Sequence, residues 1–388
     1  MAPGIEKDPV MNLKRLFSAL FCLGAMILYG SARISHADTP PILSMNFEKG
    51  LDGWSAVGQS SSVTRTQDVA YVKEGKYALE FDYDVKKGDV NLLVCPTIGT
   101  SLAGAKSIQF WIYSDYTTPM GFVLQKSNGA RYTAFFMTEK KRWQRVALSV
   151  NDFVLSNNPG DPPDPDGKLE MNQVSAMGII DLGVFFSQMD SPEVRKFFQV
   201  SPGKHTLYLD DVSISANPLP LAFGASDKGY LVDNFSRPQA MWLPLGGVQL
   251  TPMDGDKPNT RYMRMTYQQT PGIPAGMMRN LPVGSLSGMT SLDFDAASQA
   301  PMTILLQAEQ TDGSKFYASA DIPGDGQFHH ISLSADDFHV SNDSANANAK
   351  FDPGKVKSLY FIDPSGLINN ANQGNILMLA NIIVLKTK

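Results

Sequence analysis

The sequence predicts an all-β chain built as two tandem antiparallel jelly-roll β-sandwiches. Short segments rich in β-branched and aromatic residues recur between Gly, Pro, Asn and Asp, and no long helical periodicity follows the N-terminal region. The second part of the chain also repeats the first. Many strands per copy without strand–helix alternation leave antiparallel sandwiches as the architecture.

The elements justify this in order. Lys14-Arg15 precede an apolar stretch from Leu16 to Tyr29, and Ser35-His36-Ala37 places small residues at the last and third-last positions. Residues 1–37 are therefore expected to be a secretory signal cleaved after Ala37, with Met11 as the true start. An uncleaved anchor is the alternative, but the apolar stretch is shorter than the ~20 residues of a spanning helix. The mature chain is expected to be secreted or periplasmic, and not integral to the membrane. Cys95, in "NLLVCPTIG", is then the only cysteine, so no intrachain disulfide forms and this residue reads as a small buried hydrophobe.

Strands follow in "YALEFDYDV", "SIQFWIYSD", "GFVLQKSNG", "RYTAFFMT", "WQRVALSV", "MGIIDLGVFF" and "HTLYLDDVSIS". In the last of these Leu207 and Leu209 alternate, and the apolar positions then resume at Val212 and Ile214. The two-residue period slips by one at Asp210-Asp211, which marks a bulge.

"LAGAKSIQFW" at 102–111 recurs as "LSGMTSLDFD" at 286–295, and "WQRVALSVNDF" ending at Phe153 recurs as "FHHISLSADDF" ending at Phe338. "MNFEKGLDGW" is matched by "DNFSRPQAMW", and "LYLDDVSI" by "LMLANIIV". The predicted organisation is a first sandwich over 42–216, a Pro/Gly/Ser-bearing linker over 217–230 and a degenerate second sandwich over 231–388. A net charge of −5 with dispersed basic residues argues against nucleic acid as a partner.

The opening "NFEKGLDGW", then "EGKYALEFDYD", "LAGAKSIQFWIYSD", "WQRVALSVNDF" and the terminal "LYLDDVSI" resemble the carbohydrate-binding modules of families 4, 11 and 22 and the complex I intermediate-associated protein domain. The resemblance covers the first copy and, more weakly, the second. It implies a galactose-binding-like fold and a structural calcium ion in the first copy, held by Glu48, Glu74, Asp210 and the carbonyl of Lys76 or Tyr77. Ser236, Pro258 and Ala380 stand at the matching positions of the second copy, which is not expected to bind calcium there.

Alternation in "SIQFWIYSD" turns Ile108, Phe110 and Ile112 inward and Gln109, Trp111 and Tyr113 outward. Two outward aromatics on one strand suit the stacking of pyranose rings, and Gln125 and Tyr132 on the following strands are expected to join that face. The second copy offers Asp293, Asp295 and Ala297 instead.

Candidate catalytic groups are sparse. His329 and His330 face opposite ways on a strand, His205 follows a Pro-Gly turn and is expected at the surface, and the acids of "GDPPDPDGK" lack the spacing and final Glu of a calcium loop. That segment reads as a solvated insertion. The sequence reads as a non-catalytic secreted protein that binds a polysaccharide or other glycan on the aromatic face of the first copy. The alternatives are a structural or protein-interaction module with a protein partner and, more remotely, a glycan-active hydrolase or lyase.

Overall fold

A computed structural model describes residues 40–387 apart from 98, 157–159, 191–194, 196, 199, 240, 257–259 and 370. The signal segment, Met11 and Pro258 lie outside the described residues. The first copy contributes β1 (Leu43–Met45), β2 (Ser55–Val57), β3 (Ser61–Thr66), β4 (Ala78–Val85), β5 (Leu92–Pro96), β6 (Ser107–Ser114), β7 (Pro119–Lys126), β8 (Arg131–Met137), β9 (Gln144–Ser149), β10 (Val154–Leu155), β11 (Val174–Asp181) and β12 (Gly203–Ser215). One sheet runs β3-β4-β12-β6-β9 with β1 also on β12, and the other runs β10-β8-β7-β11-β5-β2.

The second copy contributes β13 (Gly224–Ser226), β14 (Gly229–Asp233), β15 (Leu243–Leu245), β16 (Gln249–Asp254), β17 (Arg261–Gln268), β18 (Ala275–Asn280), β19 (Met289–Ser298), β20 (Met302–Gln310), β21 (Lys315–Ile322), β22 (His329–Ser334), β23 (His339–Val340), β24 (Val356–Asp363) and β25 (Gly374–Lys386). Its sheets run β13-β14-β25-β17-β16, with β19 on β25 and β22 on β19, and β15-β18-β24-β20-β21-β23. The last of these repeats the order β2-β5-β11-β7-β8-β10 strand for strand. All strand pairings between named strands are antiparallel.

Each core forms between the inward rows of two sheets. Phe110 of β6 meets Phe122 of β7 and Phe136 of β8, with ring centroids 5.4 and 5.5 Å apart. In the second copy Phe294 of β19 meets Phe361 of β24 at 5.2 Å. All five rings are fully buried, and each contributes about 2 to 3 kcal/mol of hydrophobic stabilisation. Cys95 lies in the first core, where burial pushes its thiol up to about 11 and leaves it protonated at neutral pH.

Two expectations about elements need correction. "MGIIDLGVFF" is not strand throughout: β11 ends at Asp181, whose carboxylate accepts from the Gly183 amide and caps a helix over Leu182–Ser187. The 217–230 linker also ends in structure, because β13 and the start of β14 form a hairpin carried on β25. Gly229 permits this with φ 147°, at a point where a Cβ would stand 2.1 Å from the Val384 carbonyl oxygen.

Polar groups buried between the copies join them. Arg237 Nε lies 3.3 Å from Asp152 Oδ2, and both side chains are almost fully covered. The Gln239 amide exchanges hydrogen bonds with the backbone of Ala147 on β9, taking the place of a further strand at that edge. Within the second copy, Arg279 donates to Asp233 and to the Val232 carbonyl, its guanidinium lies 3.9 Å from the Phe223 ring, and its charge acts on Asp152 of the first copy. Removing Arg237 strands a buried carboxylate, so Arg237→Ala should cost about 3 to 5 kcal/mol by denaturant unfolding. Asp337 occupies the same capping box in the second copy but is exposed, and Asp337→Ala should cost about 1 kcal/mol or less.

Candidate functional site

Gln109, Trp111 and Tyr113 do point outward from β6, each half-buried between fully buried neighbours. The face they form is not open. Lys73 Nζ stands 4.4 Å from the Trp111 ring centroid and the Arg145 guanidinium 5.5 Å from it, so Trp111 lies against two cations. Tyr113 contacts Tyr71, Trp143 and Tyr208, and Tyr71 stacks flat on Tyr208 at 4.3 Å. The segment between β3 and β4 supplies Tyr71 and Lys73, and so covers the aromatics that the sequence offered as a platform.

The carboxylates assigned to calcium hold that segment down. Asp210 Oδ2 accepts the Lys73 and Glu74 amides, each at 2.9 Å, and its Oδ1 accepts the Asp211 amide at 2.8 Å. Glu48 Oε1 accepts the Lys76 and Tyr77 amides at 2.7 and 3.1 Å. Glu74 is exposed, and Glu48, Glu74 and Asp210 do not converge as a ligand set. The oxygens of Glu48 and Asp210 accept backbone N–H groups, and because the three carboxylates do not meet at one point they do not form the calcium ligand set that the resemblance implied.

Among the described residues, the acids that do converge are Asp164, Asp166 and Glu170. A cation already occupies that cluster: Lys126 Nζ lies 2.7 Å from Asp164 and 2.5 Å from Glu170, and also donates to the Lys168 carbonyl. The "GDPPDPDGK" segment is therefore anchored rather than solvated, with Asp161 on Arg131 and Asp164 buried.

Gln125 and Tyr132 do not join the Trp111 face. Alternation fixes which side of a strand a residue faces but not the sheet it enters, and β7 and β8 belong to the opposite sheet. Tyr132 turns into the core and donates to Asp164. His205 is likewise buried, stacked on Tyr116 at 4.0 Å, with Nε2 2.7 Å from the Ser201 carbonyl.

Gln125 lies instead at a cavity of about 330 Å³ on the outer face of its own sheet. Gly178 lines the hollow, between Val123 and Val94 on the neighbouring strands. The floor is Leu92, Val94, Val123, Phe135 and Ile180. Along one side Arg131 Nη1 donates to Asp161 Oδ1 at 2.8 Å and its Nε to Gln125 Oε1 at 3.2 Å. The second copy supplies the other side through Asn280, Glu309, Lys357 and Ser358. The sequence held one usable signal of this cleft, a glycine, Gly178, at an outward position of a central strand.

The second copy has a different outer face where the first has Trp111. His330 stands between Asp293 and Asp295, and Asn381 donates to Asp295 at 2.7 Å.

No protein-family model matches the chain, and no curated protein matches it. Among solved structures it is similar to the family 11 carbohydrate-binding module of cellulosomal cellulase Lic26A-Cel5E of Clostridium thermocellum, at 12% identity over 46% of this chain and 96% of that one, with a TM-score of 0.34. It is also similar to the CBM22-1-CBM22-2 tandem domain of Paenibacillus barcinonensis Xyn10C, at 13% identity over 91% and 100%, with a TM-score of 0.29. A third is TmCBM61 in complex with β-1,4-galactotriose, at 13% identity over 44% and 92%, with a TM-score of 0.28. The likeness is one of β-sandwich fold.

Burial pushes the Asp210 carboxyl up to about 6, against the amides that pull it down. A raised acid pKa favours the protonated native state, so this contribution is complete below about pH 4 and is lost as pH rises through 6. Asp210→Asn should reduce the fall in unfolding free energy between pH 4 and 7 by on the order of 3 kcal/mol. Asp210→Ala should release the covering segment and increase acrylamide quenching of tryptophan fluorescence, since Trp54 and Trp242 are buried and Trp111 and Trp143 are not.

Proposed function

We propose that this chain is a non-catalytic glycan-binding protein acting outside the cytoplasm, and that its binding cleft is the outer face of the β5-β11-β7-β8 sheet rather than the Trp111 face. The cleft carries this reading: an apolar floor with the half-buried rings of Phe135 and Phe185, bordered by Gln125, Arg131 and Asp161, is the combination that binds the C–H faces and hydroxyls of a sugar. The resemblance in "NFEKGLDGW", "SIQFWIYSD" and "LYLDDVSI" supports the same class of ligand. The signal-like segment over 1–37 supports export, and among the described residues no helix is long and apolar enough to cross a membrane.

Affinity electrophoresis through soluble polysaccharides tests the assignment. Phe135→Ala and Arg131→Ala should each weaken retardation roughly tenfold, while Trp111→Ala binds as the parent does. Loss of binding in Trp111→Ala with retention in Phe135→Ala would return the site to the other sheet. Product formation from the same polysaccharides would contradict the non-catalytic reading.

A further inference from the structure

We infer that the second copy completes the cleft, and that the ligand is a neutral oligosaccharide held between two ion pairs, Arg131–Asp161 of the first copy and Lys357–Glu309 of the second. This rests on the reading of the cleft as a glycan site. Both pairs line the cavity. Arg131 Nη1 lies 2.8 Å from Asp161 Oδ1, and Lys357 Nζ lies 3.1 Å from Glu309 Oε1.

Neither pair is loose. Asp161 also accepts from Ser156, Gln125 accepts from Arg131 Nε, and Glu309 Oε2 accepts from the Tyr360 hydroxyl at 3.0 Å. The two carboxylates are nearly buried, with side chains 8% and 3% exposed. Each cation is already paired with its own carboxylate, so the cleft offers an anionic ligand no net positive charge. A neutral hydroxyl needs none. At the half-exposed Arg131 it accepts from a guanidinium N–H that neither Asp161 nor Gln125 uses, and the Arg131–Asp161 contact is kept. Asn280, bonded to Ser358 at 2.8 Å, adds an amide on the second copy's side of the cavity.

This gives the degenerate copy a role. It contributes no aromatic platform of its own here but supplies polar groups facing the first copy's apolar floor, so the ligand is recognised by both copies at once.

Isothermal titration of the full chain tests this with neutral probes, namely cello-, xylo- and β-1,4-galacto-oligosaccharides, and with acidic probes, namely galacturonate oligomers. A neutral oligosaccharide should bind at least tenfold more tightly than any acidic one. Its affinity should change less than about twofold between 50 and 500 mM NaCl, because no net charge is attracted. Lys357→Gln, which retains a donor to Glu309, and Asn280→Ala should each weaken binding roughly five- to tenfold, with melting temperatures measured in parallel.

Preferred binding of galacturonate overturns the inference, as does unchanged affinity in both second-copy variants. If those variants bind as the parent while Phe135→Ala does not, the cleft stands as a glycan site of the first copy alone. If no oligosaccharide binds the parent, both the inference and the proposed function fall.

Discussion

Each copy is organised by one constraint: its last strand must pair with two partners along the same edge. β12 pairs with β4 as far as Leu209 and with β1 from Val212, while β6 runs along its other side. β25 does the same, passing from β17 at Leu379 to β14 at Ile382. A residue has to be spent at the exchange, and the left-handed backbone of Asp211, φ 47°, and Asn381, φ 51°, spends it. Asp and Asn tolerate that conformation better than other side chains with a Cβ, which accounts for the residue types at the slip.

The exchange leaves an opening beside the strand, and the two copies treat it differently. In the first, Asp210 accepts amides from the turn at 73–74 and draws that segment over the sheet, where Lys73 and Tyr71 meet Trp111 and Tyr208. The second has Ala380 at that place, and Asn381 reaches sideways to Asp295. The Asp210/Ala380 difference, together with Asp293, Asp295 and Ala297 in place of Gln109, Trp111 and Tyr113, separates a face covered by its own loop from a face of half-buried acids and an exposed imidazole. The carboxylates at 48 and 210 close a chain segment over the sheet by accepting its backbone N–H groups.

Much of this was legible in the sequence, and the failures share one cause. Strict alternation identified Ile108, Phe110 and Ile112 as core, and the apolar slip located the bulge, because both depend on local geometry. The collinear repeats pointed to two homologous copies, and the strand order β2-β5-β11-β7-β8-β10 recurs as β15-β18-β24-β20-β21-β23, an order that the repeats alone do not give. What could not be read was which outward residues share a surface. Gln125 and Trp111 are both outward, yet they sit on opposite sheets, and no periodicity distinguishes the two. His205 and Asp164 were read as exposed from their turn-like settings, but Tyr116 stacks on the one and Lys126 reaches the other, through contacts distant in sequence.

The copies also differ in the charge they place at their junction, and this bears on why both persist in one chain. Ser149 and Ser334 open the same capping box with Asp152 and Asp337, but only Asp152 is buried, because Arg237 reaches it from the second copy. Arg279 and Asp233 form a second buried pair inside the second copy, and the Arg279 charge also acts on Asp152 across the junction. A buried ion pair is a poor source of net stability and a good selector of one arrangement, since a misaligned junction leaves the charges of Asp152 and Arg237 unpaired. The Gln239 amide acts in the same sense, because it satisfies the open edge of β9 at a single residue, Ala147. A cleft with walls from two copies requires that kind of fixed junction, so the pair at 152 and 237 supports the cavity at 125, 131, 309 and 357.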